Sequence, residues 1–276
     1  MDKLGSFGYT WVEINFQYTT LAVLGYVSAF PAMFLRPMWG ETHKDLPRLP
    51  LCMEKVAILG GTFDPVHCGH LLMAETAVSQ FGIDRVIWAC DRTPRHKSHS
   101  VLASFDQRRE MVALATAGRS DFGLLPVDTN ASGTSAIDTL LYLQNLYPEA
   151  QRYWIIGADA LPTLPKWPRC AEIAGLCDWL VAGRESVGVG ESEMGKSSID
   201  DWARDNMQVE TTSAVCCKVA EQMAILGVQL RWQVLAMRAI EISSSHIRRC
   251  CAENRDFRYL VPESVRSYIA THSLYQ

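Results

Sequence analysis

The sequence predicts an α/β protein: a parallel β-sheet with helices on both faces. Three observations carry this. Short apolar runs end in glycine at Gly60 and Gly157, segments with helical spacing stand between them, and the two patterns alternate over more than 120 residues. Val56 to Leu59 is a buried strand entering the Gly60-Gly61 turn, and His70 to Phe81 follows as a helix with Leu71, Leu72, Ala74, Ala77 and Val78 on one face. Arg85 to Cys90 is the next strand, Phe105 to Ala117 a helix, and Phe122 to Val127 is strand-like. The alternation then repeats. Thr134 to Leu146 is helical, Tyr153 to Ile156 a strand, Arg169 to Leu176 a short helix and Trp179 to Ala182 a strand, whereas 185–240 is poorly patterned. Ligands of such sheets sit beyond the carboxyl ends of the strands, so function is expected in the loops at Gly60, Asp91, Gly157 and Gly183.

Composition narrows the class. Hydrophobic residues make up 48% of the 276 and charged residues 20%, which excludes a disordered chain. Lys+Arg 26 against Asp+Glu 30 leaves a net charge of -4, so no global basic field recruits nucleic acid or an acidic membrane face. Nine cysteines, with Cys216-Cys217 and Cys250-Cys251 adjacent, fit reduced thiols in a cytoplasmic protein better than a disulfide framework.

The first 52 residues read differently. No charged residue occurs from Ile14 to Leu35, but the run opens with Asn15, Gln17, Thr19 and Thr20 and contains Pro31, which suits a membrane span of about 20 apolar residues poorly. Lys3 is offset by Asp2 and Glu13, so a signal peptide lacks its basic leader. Residues 1–52 are therefore read as an extension, with Met53 a candidate natural start, and 53–276 as the functional domain with no membrane association expected.

Chemistry concentrates in the first loop, Gly60-Gly61-Thr62-Phe63-Asp64-Pro65-Val66-His67-Cys68-Gly69-His70. Two glycines let backbone approach a bound group, and the start of a helix presents N–H groups and a positive dipole end to an anion. His67 and His70, three apart at that end, can both address one phosphate and donate hydrogen bonds where negative charge develops. A second anion site is legible at Ser243-Ser244-Ser245 before Ile247-Arg248, a serine-capped helix start with a guanidinium on its first turns.

The segment GGTFDPVHCGH resembles the signature of the HxGH nucleotidyltransferase superfamily, and within it that of bacterial, cyanobacterial-like nicotinate mononucleotide adenylyltransferases. Thr93 to Lys97, Gly157 to Leu161, Leu164 to Trp167, Ile242 to Arg248 and Leu260 to Ile269 resemble further segments of that family in the same order. The resemblance runs from about Val56 to Tyr275. It implies a Rossmann-like fold of the HxGH type and the transfer of the adenylyl group of ATP to nicotinate mononucleotide, with Mg²⁺ accompanying ATP and no metal ligand set assigned to the protein.

Site residues follow from the same resemblance. His67 and His70 would meet the α-phosphate and Arg248 the leaving phosphates. Gly60, Gly61, Thr62, Phe63, Asp159, Ser243, Ser244 and Ser245 would line the ATP site. His96, Lys97, Trp167 and Arg184 would face the mononucleotide, Trp167 by stacking on its pyridine ring. Homo-oligomerisation is left open.

Two departures keep rivals in view. Gly133 to Thr139 lacks the aromatic residue the family has beside the pyridine carboxylate, and the turn at Gly183-Arg184-Glu185 lacks its proline. The rivals are an adenylyltransferase acting on nicotinamide mononucleotide or another substrate of the superfamily, and a weakly catalytic nucleotide-binding paralogue. Gly190 to Ser197 formally matches a phosphate-binding P-loop, but Glu191 and Glu193 would oppose the phosphate, and the stretch reads as an exposed connection.

Overall fold

The computed structural model describes residues 53–92, 101–126, 135–183, 199–237 and 242–276. Six strands form one sheet: β1 (Lys55–Gly61), β2 (Arg85–Cys90), β3 (Phe122–Leu124), β4 (Gln151–Gly157), β5 (Asp178–Ala182) and β6 (Trp232–Leu235). Their order is β3-β2-β1-β4-β5-β6 and every pairing is parallel. The chain winds outward from β1 to β3 and then crosses to β4 on the other side of β1. This is the reversal point at which doubly wound sheets open a crevice for ligands.

Seven α-helices were found among the described residues: α1 (Cys68–Phe81), α2 (Phe105–Thr116), α3 (Ala136–Leu146), α4 (Cys170–Leu176), α5 (Ile199–Ile225), α6 (Ser244–Ala252) and α7 (Glu263–Thr271). A 3₁₀ turn, Leu161–Lys166, follows β4. The helices start and stop where local chemistry says they should. Ser104 caps α2 by accepting from the Gln107 N–H, Ser135 does the same for α3 with Asp138, and α1 ends at Gly82 in a left-handed conformation with φ 61°.

Because strand side chains alternate, the sheet has two cores. Ala57, Leu59, Trp88 and Ile155 face one cluster, shared with Met73 and Ala77 of α1, Met111 of α2, Ile247 of α6 and Val265 of α7. Val56, Ile58, Trp154, Ile156 and Trp179 face the other, with Leu140 of α3, Ile173 of α4 and Met223 of α5. Burial on both faces is why the strands read as continuous apolar runs rather than as alternating ones.

Segment 185–240 needs correcting. Although it looked unpatterned, it contains the 27-residue helix α5 and the edge strand β6. The buried stripe of α5 is Thr212, Cys216, Val219 and Met223, spaced as a helix demands, but Thr212 is polar and Thr, Cys and Val are weak helix formers. The candidate P-loop at 190–197 lies outside the described residues, as do the first 52. Among the described residues no helix is long and apolar enough to cross a membrane. The eight described cysteines are all free thiols.

Candidate active site

The loop between β1 and α1 lies at the carboxyl end of the central strand. Gly60 has to be glycine, because a Cβ there would come within 2.8 Å of the Trp154 indole on the neighbouring strand β4. Phe63 is buried with φ 51°, a left-handed conformation that strains any residue carrying a side chain. Its ring packs edge-on to His70 at 5.0 Å and against Trp88 at 5.5 Å. Backbone strain held in place by packing on both sides is typical of a segment whose geometry serves a ligand.

The two histidines meet at the start of α1. Their rings stack at 3.7 Å, and the backbone N–H of His67 donates to Nδ1 of His70 at 3.2 Å. With Nδ1 accepting, neutral His70 carries its proton on Nε2, the edge that can donate to a ligand. His67 is only 1% exposed, so His70 forms the more open face of the pair. Gly69 between them matters sterically: a Cβ would stand 3.0 Å from Nδ1 of His67.

The serine-arginine segment, some 180 residues away in sequence, is brought onto this loop. Ser244 donates its hydroxyl to the Pro65 carbonyl at 2.9 Å, and Arg248 Nη1 donates to the Asp64 carbonyl at 2.7 Å. Arg248 Nη2 also donates to Ser245 Oγ at 3.2 Å. Ser243 caps α6, its hydroxyl oxygen accepting from the His246 N–H at 3.2 Å. The Cys68 N–H donates to the Leu260 carbonyl, which ties α1 to the approach of α7. Thus the helix starts of α1 and α6, each a positive dipole end, flank one loop together with a guanidinium.

Asp159 stands in the turn after β4, the neighbour of β1. Its carboxylate folds back over Gly157 so closely that no Cβ would fit there. Trp167 sits farther along and is anchored in the second core. Its Nε1 donates to Thr163 Oγ1 at 2.9 Å, and its ring packs edge-on to Trp154 and Trp179 at 5.9 and 6.1 Å. The indole is therefore partly a core residue, with only its half-exposed remainder facing outward. His96, Lys97 and Arg184 lie outside the described residues.

Three residues near the loop were given no role by sequence reasoning. Arg108 of α2 is 1% exposed, and its Nη1 donates to the Thr62 carbonyl at 2.6 Å and to Cys90 Sγ at 3.3 Å. A buried cation thus lies directly beneath the turn that would meet an anion. Burial pushes the Cys90 thiol up to about 12 despite that cation, so it stays protonated and unreactive. Asp64 is 2% exposed and accepts from the N–H groups of Leu102 and Ala103 at 2.9 and 3.1 Å and from the Tyr275 hydroxyl at 2.7 Å. Asp64 is visible inside the first motif, but nothing local announces that Tyr275 reaches it or that Arg108 reaches Thr62.

Fold and site together define a Rossmann-like protein that gathers two histidines and an arginine where β1 meets α1. The chain belongs to the cytidylyltransferase-like family, whose sequence model matches residues 58–250. A protein of Trichormus variabilis named "Probable nicotinate-nucleotide adenylyltransferase" is 40% identical over 224 residues, covering 81% of this chain and 98% of the relative. A Synechococcus protein of the same name is 39% identical over 223 residues, 80% and 97% of the two chains. In fold, the chain resembles the Plasmodium falciparum nicotinic acid mononucleotide adenylyltransferase solved in complex with NaAD. That likeness has a TM-score of 0.57 and 16% identity, over 80% of this chain and 97% of that one.

Proposed function

We propose that this protein transfers the adenylyl group of ATP to nicotinate mononucleotide, forming deamido-NAD and releasing pyrophosphate, a step of NAD biosynthesis. The observation that carries this reading is the convergence of His67, His70 and Arg248 on the Asp64–Gly69 loop. Kinship with nicotinate-nucleotide adenylyltransferases over nearly their whole length points the same way. A phosphate oxygen of the mononucleotide attacks the α-phosphorus of ATP as the bond from that phosphorus to pyrophosphate breaks. The nucleophile is already ionised, so no general base is required. Catalysis then rests on alignment and on neutralising charge in the transition state.

His70 donates from Nε2 to the α-phosphate, with His67 stacked behind it, and Arg248 meets the leaving phosphates. Gly60, Gly61, Thr62 and Phe63 form the backbone wall, and Ser243, Ser244 and Ser245 bring the start of α6 to the triphosphate. His96, Lys97, Trp167 and Arg184 are assigned to the mononucleotide. Among the described residues no three of His, Cys, Asp and Glu converge as a metal cage. A Mg²⁺ carried on the triphosphate would be largely hydrated, and Asp159, in the turn after β4, is the carboxylate that would approach it. When bound, the ion would offset charge on the leaving phosphates.

The test is incubation with ATP, Mg²⁺ and either nicotinate or nicotinamide mononucleotide, followed by separation of the dinucleotide products. A charge-assisted contact to the pyridine carboxylate is worth about 1.5–3 kcal/mol, so nicotinate mononucleotide is expected to be preferred at least about tenfold in kcat/KM. Equal efficiency would make the enzyme dual in specificity, and absence of turnover with both would favour the nucleotide-binding paralogue.

Residues 1–52 are proposed to be dispensable for this activity, since a relative is matched over 98% of its length by 224 residues of this chain. A shortened protein beginning at Met53 is expected to match the full chain in kcat and melting temperature. Aggregation or lost turnover would assign the extension a part in folding or catalysis.

A further inference from the structure

The penultimate residue of the chain reaches the phosphate loop. Tyr275 follows α7, is 7% exposed, and donates its hydroxyl to Asp64 Oδ1 at 2.7 Å. Getting there is unfavourable for the backbone. Ser273 and Tyr275 both adopt left-handed conformations, with φ 48° and 65°, while the Leu274 N–H donates back to the Ile269 carbonyl. The last turn is therefore folded under α7 in a way that points the phenol inward.

The arrangement around Asp64 explains what that hydroxyl does. Oδ1 accepts from the Ala103 N–H and from Tyr275, while Oδ2 accepts from the Leu102 N–H and faces Arg248 Nη1 at 3.8 Å. That same Nη1 donates at 2.7 Å to the Asp64 carbonyl instead. A free carboxylate beside a guanidinium closes into a bidentate pair, with both N–H···O contacts under about 3 Å. Here it does not: a bidentate pair needs both oxygens, and Oδ1 already accepts two donors, the Ala103 N–H and the Tyr275 hydroxyl.

We propose that Tyr275 is a positioning residue for the adenylyl transfer: by occupying the Asp64 carboxylate it keeps Arg248 from collapsing onto it, and so leaves the guanidinium available to the departing pyrophosphate. The proposal rests on the reading that Arg248 meets those phosphates. Burial and the neighbouring Asp64 charge hold the phenol pKa far above its ordinary value, so the hydroxyl remains a donor at any working pH.

The test is a double-variant cycle with Tyr275→Phe and Arg248→Ala in the full chain. Tyr275→Phe keeps the ring and loses only the donor. It is expected to lower kcat about tenfold and to weaken inhibition by inorganic pyrophosphate about fivefold, while KM for nicotinate mononucleotide changes less than twofold. In the Arg248→Ala background the same change should cost less than twofold, because there is no guanidinium left to misplace. A partly unfolded variant would lower kcat through its active fraction but would leave the pyrophosphate inhibition constant unchanged, so a merely structural anchor is separated from the proposed role. Full activity of Tyr275→Phe, an unchanged inhibition constant, or an equal loss in both backgrounds overturns the proposal. Near-normal activity of Arg248→Ala by itself overturns the reading beneath it and the proposal with it.

Discussion

Replacing His70 by alanine is expected to lower kcat by at least ~10²-fold while KM for ATP moves by less than about threefold. The split follows from where the proton sits. Nδ1 of His70 accepts from the His67 backbone N–H at 3.2 Å, so neutral His70 carries its proton on Nε2, the atom proposed to donate to the α-phosphate. A hydrogen bond that strengthens as charge builds on the α-phosphate oxygens in the transition state contributes more to turnover than to ground-state binding. Alanine also removes the ring stacked at 3.7 Å on His67, so the second imidazole loses its orienting neighbour. Steady-state kinetics with a melting curve as control would measure this. Turnover near that of the unaltered enzyme would remove the histidine pair from the mechanism.

Asp64→Ala is expected to destabilise the fold by about 3–5 kcal/mol, the range for removing one member of a buried charged network. At 2% exposure its carboxylate satisfies two backbone N–H groups and the Tyr275 hydroxyl. Alanine strands all three donors away from water, each at a cost of about 1–3 kcal/mol when unrelieved. At roughly 2–4 °C per kcal/mol for a domain of this size, the melting temperature should fall by about 10 °C. Thermal denaturation followed by circular dichroism gives the number. A fall of under about 2 °C would mean that water replaces the carboxylate, and that the cluster does not brace the loop.

Much of this protein could be read without its structure, for local reasons. The apolar runs at Val56 to Leu59, Tyr153 to Ile156 and Trp179 to Ala182 are strands buried on both faces, and sheet strands of that kind carry their signal in contiguous residues. The start of α1 was legible because glycines, histidines and a helix signal stand together in eleven residues. Helix α5 was not. Its buried stripe of Thr212, Cys216, Val219 and Met223 has the right period, but Thr212 within it is polar while the apolar Val209 and Ile225 off it are exposed, so hydrophobicity alone does not outline the face. Strand β6 is four residues long on the sheet edge, and although Trp232 and Val234 favour strands, so short a run is settled only by its pairing with β5. Trp167 could be read either as core or as a stacking surface. Its bond to Thr163 and its packing on Trp154 and Trp179 show that it anchors the core whatever its outer face does.

The sequence by itself determined the parallel α/β class, the expectation of an anion at the first loop and the resemblance that carries it, because each depends on residues adjacent in the chain. Only the tertiary structure decided that Arg248 lies on Asp64, that Arg108 is buried beneath Thr62 and that Tyr275 closes the cluster from the end of the chain. Those contacts join residues between 46 and 211 positions apart. A buried charge acquires its partners from the packing of whole helices against the sheet, and no local pattern in the chain encodes which distant donor will arrive.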